Sequence, residues 1–312
     1  MKYQKPFLKW VGGKTQIIDQ IVKTFPPKIK DYHELFLGGG SVLFALLTLQ
    51  EEKKIVIEGK ICAYDFNPNL IHLYKIVQKE KDKLFECIGK FLQIYDSLKT
   101  EVKKDQINRK PKTLLEAKTC KESYYYFMRT RFNLLLKSRI VEDGKEELKI
   151  EFASLFLLLN KTCFRGIYRE SSNGFNVPYG HYKTTPNIIT KEELDKISNL
   201  IKDVEFRTLS FKESIKYPKE GDFVYMDPPY APETKTSFVG YLKDGFTQEC
   251  HKKLFEEIIR MNERKVKFCL SNAKVDLVTD ALKNFNIEEI EARRAIHSKK
   301  PDSKTLEVII TN

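Results

Sequence analysis

Apolar residues in this chain recur in two rhythms. Short apolar runs bounded by turn residues read as buried strands, and longer stretches with apolar residues three or four apart read as helices. A first helix is expected over 14–25, stopped by Pro26-Pro27. A strand over 32–37 is broken by Gly38-Gly39-Gly40, and Ser41 takes the helix N-cap before an apolar run over 42–47. A strand over 61–64 ends at Asp65, and Asn67-Pro68 opens another helix. From about 78 to 160 the period is helical and no good strand occurs, with helices near 121–138 and 148–160 and a lysine-rich exposed connection over 101–113. Residues 161–183 read as an ordered loop or hairpin. Alternation resumes near 190, where Thr190 caps a helix. Strands over 204–209 and 222–226, a polar stretch over 231–245, a helix over 247–262, a strand over 266–270, a helix near 274–283 and strands near 286–291 and 306–310 complete the chain.

The β-α-β alternation predicts an α/β fold built on an open, Rossmann-like sheet. A mainly helical, basic insertion interrupts it. The expected division is residues 1–75 and 186–312 for the sheet domain, and 76–185 for the insertion.

Composition narrows the class. In 312 residues, 41% hydrophobic and 31% charged content suits a globular chain rather than a disordered one. No run approaches the ~20 apolar residues that span a bilayer, and no apolar signal core follows Lys2 and Lys5, so an intracellular, cytoplasmic location is expected and no membrane partner. Cys62, Cys87, Cys120, Cys163, Cys250 and Cys269 never reach CxxC spacing, which argues against a zinc site, and no metal is expected. The net charge is +12, and two thirds of that excess falls between residues 76 and 185. That segment is the candidate surface for phosphates.

The sharpest chemical signal is Asp227-Pro228-Pro229-Tyr230, directly after a strong strand. The prolines forbid helix and hold the residues before them extended. A carboxylate, a carbonyl and an aromatic face thus gather at the carboxyl end of a strand, the edge where open α/β sheets bind ligands. Two acceptors can take both protons of an adenine N6 amine and point its lone pair at an electrophile, while Tyr230 stacks on the base. A plain strand-ending turn fits the tetrapeptide equally well.

Phe36-Leu37-Gly38-Gly39-Gly40-Ser41 supplies a glycine turn through which backbone can approach a ligand. Leu43 stands where a dinucleotide fingerprint needs its third glycine. Asp65, ending the next strand, suits a ribose diol or a simple turn. Lys9-Trp10-Val11-Gly12-Gly13-Lys14-Thr15 invites a phosphate-loop reading, which fails because Leu8 occupies the first glycine position. In the insertion, Phe164, Arg165, Arg169, Asn176, Pro178 and Tyr179 belong to a basic, aromatic, glycine-containing stretch suited to base reading, or to an ordinary surface loop. Arg293, Arg294, Lys299, Lys300 and Lys304 share one late loop that can meet phosphates, and His297 is assigned no role.

These motifs, in this order, resemble the Dam-type (class alpha) family of DNA adenine-N6 methyltransferases across nearly the whole chain. The resemblance implies a sheet that binds S-adenosylmethionine and a helical domain that recognises double-stranded DNA. It implies a donor pocket of Trp10, Gly12, Lys14, Phe36, Gly38, Gly40, Ser41, Asp65, Ser210, Phe211 and Asp227. Asp227, Pro228, Pro229 and Tyr230 correspond to the catalytic set. Lys9, Arg169 and Tyr179 correspond to DNA-contacting positions, with Arg169 matching a guanine-reading arginine and Phe164 an intercalating aromatic. The implied enzyme methylates adenine in GATC or another short palindrome such as CATG; a monomer is expected, although the sequence does not determine the oligomeric state. Arg165 stands where GATC-specific members carry asparagine, and the stretch from Arg169 to Phe175 is one residue short, so the target sequence stays open. Another amine as substrate (RNA adenine, cytosine N4) and an inactive DNA-binding relative are the alternatives.

Overall fold

The computed structural model describes residues 2–231, 246–293 and 304–312. The polar stretch 232–245, Arg294, His297, Lys299 and Lys300 lie outside the described residues. Two compact units divide the chain. Met1–Pro6, Gly12–Asn67 and Asp203–Asn312 form one, and Phe7–Val11 with Pro68–Lys202 form the other.

The first unit holds a seven-stranded sheet: β1 (Tyr32–Glu34), β2 (Ile61–Asp65), β3 (Val204–Thr208), β4 (Phe223–Met226), β5 (Lys267–Ala273), β6 (Asn286–Arg293) and β7 (Lys304–Thr311). Their spatial order is β6-β7-β5-β4-β1-β2-β3. The five strands from β3 to β5 run parallel, and β7 is antiparallel to both of its neighbours. Every residue of β4 is buried, as a parallel strand covered on both faces requires.

The chain runs outward from β1 to β2 and β3, then returns to β4 on the other side of β1. Strand order therefore reverses at the β1/β4 seam, the place where open α/β sheets bind ligands at their carboxyl ends. Glu34 is in register with Tyr225, and the Leu35 amide donates to the Tyr225 carbonyl at 3.1 Å. Residues 35–41 and 227–230 therefore leave the sheet side by side.

Local differences from the sequence reading have local causes. The first helix is Ile18–Lys23, not 14–25. The Lys14 amide donates to Ser41 Oγ at 3.1 Å, and residues 14–17 close a turn in which the Ile17 amide reaches the Lys14 carbonyl. The next helix is Ser41–Glu51, and its N-cap is Gly40 at φ 73°, so Ser41 is the first helical residue. The expected helix over 274–283 shortens to Asp276–Thr279.

At the amino ends of β1 and β4, Asp31, His33 and Asp222 offer three ligand-type atoms within 4.8 Å of one another. Their carboxylates already accept the amides of Lys60, Asp31 and Lys219, so the group acts as a clamp between chain segments entering the sheet.

The second unit is helical: Pro68–Lys79, Lys81–Ser97, Lys121–Lys137, Glu146–Thr162 and Lys191–Leu200 are its main helices. Pro68–Lys79 packs on Glu146–Thr162 and on Lys191–Leu200, and Gln78 Nε2 donates to the Ile201 carbonyl at 2.7 Å. These packing partners draw 68–75 and 186–202 into the helical unit. No helix among the described residues is long and apolar enough to cross a membrane.

Candidate active site

Asp227 begins where β4 ends, and Pro228 and Pro229 stop the strand from continuing. Its side chain is 18% exposed and its Oδ2 pairs with Lys14 Nζ at 2.8 Å. Lys14 is itself buried; its ammonium also donates to the Gly12 carbonyl at 2.7 Å and lies 4.6 Å from the centroid of the Tyr230 ring. The other carboxylate oxygen, Asp227 Oδ1, is buried and has no hydrogen-bond partner among the described residues. An unpaired buried acceptor costs free energy on the order of 1–3 kcal/mol, and more when charged. Burial pushes the Asp227 pKa up to about 6, against the opposing pull of the Lys14 ammonium.

Beneath it, Glu34 closes β1, 2% exposed as a residue, with its carboxyl bonded to the Tyr32 hydroxyl at 2.7 Å. Burial pushes Glu34 up to about 8, so at neutral pH it is mostly protonated and adds little negative charge to the site. No motif drew attention to Glu34; its signal was only its position two residues ahead of Phe36.

The glycine turn lies on the other side of the seam. Gly38 and Gly40 both hold positive φ, at 51° and 73°. Asp65 Oδ2 accepts the Gly38 amide at 2.9 Å and Oδ1 accepts the Asn67 amide at 2.9 Å. Asp65 therefore anchors the turn as well as standing at the end of β2. Phe36 stacks on Phe211 with ring centroids 5.9 Å apart and meets Phe246 edge-on at 5.9 Å. Ser210 precedes Phe211 in a capping box, its amide and hydroxyl both bonded to the Glu213 carboxylate. In one unit, then, a buried carboxylate with an unused oxygen shares a sheet edge with a glycine turn and an aromatic slab.

A family model described as D12 class N6 adenine-specific DNA methyltransferase matches residues 10–296. The chain belongs to this family.

Similarity to individual members runs end to end. The chain is 35% identical to the type II methyltransferase M.MjaIII of Methanocaldococcus jannaschii, over 99% of each chain. It is 31% identical to the type II methyltransferase M1.LlaDCHI of Lactococcus lactis subsp. cremoris, covering 99% of this chain and 95% of that one. The DNA adenine methylase of Escherichia coli K12 is 28% identical, with the same two coverages. As a D12 class member, the chain is an adenine-specific DNA methyltransferase.

Other residues singled out in the sequence lie in the helical unit of this D12 class enzyme. Trp10 stacks on Tyr168 and Phe156, with centroids 5.6 and 6.4 Å away, so its aromatic partners belong to that unit. Lys9 is exposed and its ammonium reaches the Tyr182 hydroxyl at 3.1 Å. Asn160, which no motif flagged as structural, accepts the Lys9 amide at 2.9 Å and donates to the Lys9 and Gly166 carbonyls at 2.8 and 3.2 Å. Gly166 has φ +67°, and a Cβ there would lie 2.4 Å from Lys9 Cβ.

The loop after Glu146–Thr162 carries the expected DNA-contact set. Phe164 is 44% exposed, and the Arg165 guanidinium lies 5.3 Å from its ring centroid. Arg165 itself has φ 57°. Arg169 Nε donates to Asn176 Oδ1 at 2.7 Å, beside a small hairpin pairing Glu170–Ser171 with Gly174–Phe175. Pro178 is exposed. Tyr179 departs from expectation. It is 2% exposed, with its hydroxyl 2.9 Å from that of Tyr95, and it braces the loop from inside.

Proposed function

We propose that this D12 class enzyme transfers the methyl group of S-adenosylmethionine to N6 of an adenine flipped out of a short duplex site. The single observation that carries the reading is the buried Oδ1 of Asp227, which has no partner among the described residues. It fits an N–H donor from a ligand, and the N6 amine of a flipped base is such a donor. Asp227 Oδ1 accepts one amine proton and orients the nitrogen lone pair away from the carboxylate. Tyr230 offers its ring to the base plane.

The donor fits the opposite side of the seam. The Phe36 and Phe211 rings offer an apolar slab for a purine. The Gly38–Gly40 turn lets backbone approach closely, and Asp65 presents a carboxylate at the end of β2. Lys14, Gly12, Ser41 and Ser210 border the same edge as further candidates. S-adenosylmethionine, when bound, supplies an electrophilic methyl on a sulfonium. The acceleration then comes from holding the amine in line and from charge complementarity. The amine is its own nucleophile, so no covalent bond to the protein forms.

In the helical unit, Phe164 is suited to wedge into the base stack and Lys9 and Arg165 to meet phosphates. With Nε held by Asn176, the Arg169 fork has its terminal nitrogens for guanine O6 and N7. GATC is the favoured target, with CATG behind it.

The test is Asp227→Ala. Labelling of unmethylated DNA from methyl-tritiated donor is expected to fall by at least about a hundredfold, while donor binding persists by calorimetry. Undiminished labelling would remove Asp227 from the reaction.

A further inference from the structure

The phenol of Tyr230 does not hang free over the site. Its hydroxyl donates to Glu307 Oε2 at 2.5 Å and lies 3.2 Å from Ser271 Oγ. Glu307 stands on β7 and Ser271 on β5, which are adjacent antiparallel strands with Glu307 in register with Ala273 and Ile309 in register with Ser271. The next residue along the catalytic turn is tied to β5 as well, because the Ala231 amide donates to Asn272 Oδ1 at 3.1 Å. Ser271 and Asn272 are both fully buried. The turn that leaves β4 is thus gripped at two points by the strands beyond it.

We infer that Glu307, assisted by Ser271, is a positioning residue that fixes the position of the Tyr230 ring for stacking on the target adenine. The inference rests on the proposed reading of the Asp227–Tyr230 turn and adds to it a residue outside every motif. An aromatic side chain fixed only at its Cβ can swing about two torsions. A bond at the far end of the ring pins the first of them and so fixes where the ring lies, while the second is restrained only by the preference of the phenolic O–H to lie in the ring plane. A short O–H···O⁻ bond to a carboxylate is among the stronger uncharged-to-charged hydrogen bonds, and such a tether pre-organises the site before the base arrives. The phenol stays protonated as the donor, because burial and the nearby Asp227 and Glu307 carboxylates hold its pKa well above its ordinary value. Ser271 adds a second contact at the same oxygen and narrows the swing of the ring that Glu307 alone would leave.

A double-mutant cycle tests this, with unmethylated bacteriophage lambda DNA as substrate and methyl-tritiated donor. In the wild-type background, Glu307→Ala is expected to lower single-turnover methyl transfer about 10- to 100-fold, the scale of a slightly misplaced reacting group. Donor affinity should stay unchanged. Glu307→Gln keeps an acceptor for the phenol and should recover most of the rate, which also guards against a variant that simply fails to fold. In a Tyr230→Phe background, Glu307→Ala should change the rate by less than about twofold, since the tether is already gone. The same non-additivity is expected in thermal unfolding midpoints, a readout independent of methyl transfer. Additive effects in either cycle, or a full-rate Glu307→Ala enzyme, would overturn the inference. Wild-type protein that transfers no methyl group to DNA would instead sink the underlying reading, and is seen before any variant is compared.

Discussion

Asp227 sits where two electrostatic effects oppose each other. Burial favours its neutral form, and the Lys14 ammonium at 2.8 Å favours its charged form, with burial the larger. On the proposed reading the amine acceptor is the Asp227 carboxylate, so the rate of methyl transfer should fall as pH drops through about 6. Lys14→Met removes the pull toward ionisation, and the acidic limb of the single-turnover pH profile should move upward. A limb that stays in place would mean that another group governs it. The stability sign is opposite. The folded carboxyl binds its proton more tightly than the ordinary Asp value of 3.8 allows, so this group's contribution to stability declines as pH rises from about 3.8 to about 6. The structure therefore spends stability at neutral pH to keep a charged, half-unpaired carboxylate in place.

At the scale of elements, the turn between β1 and Ser41–Glu51 is the part least tolerant of change. Gly40 caps that helix at φ 73°, a conformation in which a β-branched residue is strained by on the order of 1–3 kcal/mol. The Gly40 amide also closes the turn onto the Leu37 carbonyl at 2.9 Å. Gly40→Val is expected to lower the thermal midpoint and to weaken S-adenosylmethionine binding about tenfold or more, while affinity for DNA measured without donor stays near that of the wild type. Unchanged donor affinity by calorimetric titration would remove the turn from the donor site. The helical unit makes a contrasting use of glycine. Gly166 is needed because a side chain would strike Lys9, whose backbone Asn160 binds on both its amide and its carbonyl.

At the scale of the whole molecule, charge and chemistry are unevenly shared. All seven strands and the Asp227 edge belong to one unit, and the segment richest in excess lysine and arginine belongs to the other. DNA binding that relies on phosphate contacts weakens with salt, with a log–log slope of about −0.9 per contact. Arg165→Ala should flatten that slope by about 1 in anisotropy titrations of a labelled duplex across a potassium chloride series. A slope equal to that of the wild type would exclude Arg165 from phosphate contact.

Much of this molecule was legible one residue after another. The order of strands and helices, the β1–Gly38–Ser41 and β4–Asp227–Tyr230 junctions, and the helical character of 78–160 all follow from period, glycine and proline. Those signals act through the backbone of neighbouring residues, so a linear reading captures them. Tertiary structure decided the rest. Glu307 meets Tyr230 from 77 positions away, and Lys14 meets Asp227 across most of the chain. Tyr179, polar and aromatic in a glycine-rich loop, turned inward to Tyr95 because its hydroxyl found a buried partner there. Trp10 packed on Phe156 and Tyr168, two residues before the chain joins the other unit. An apolar or polar side chain specifies the kind of neighbour it needs, and only the folding of distant segments onto one another specifies which neighbour it gets.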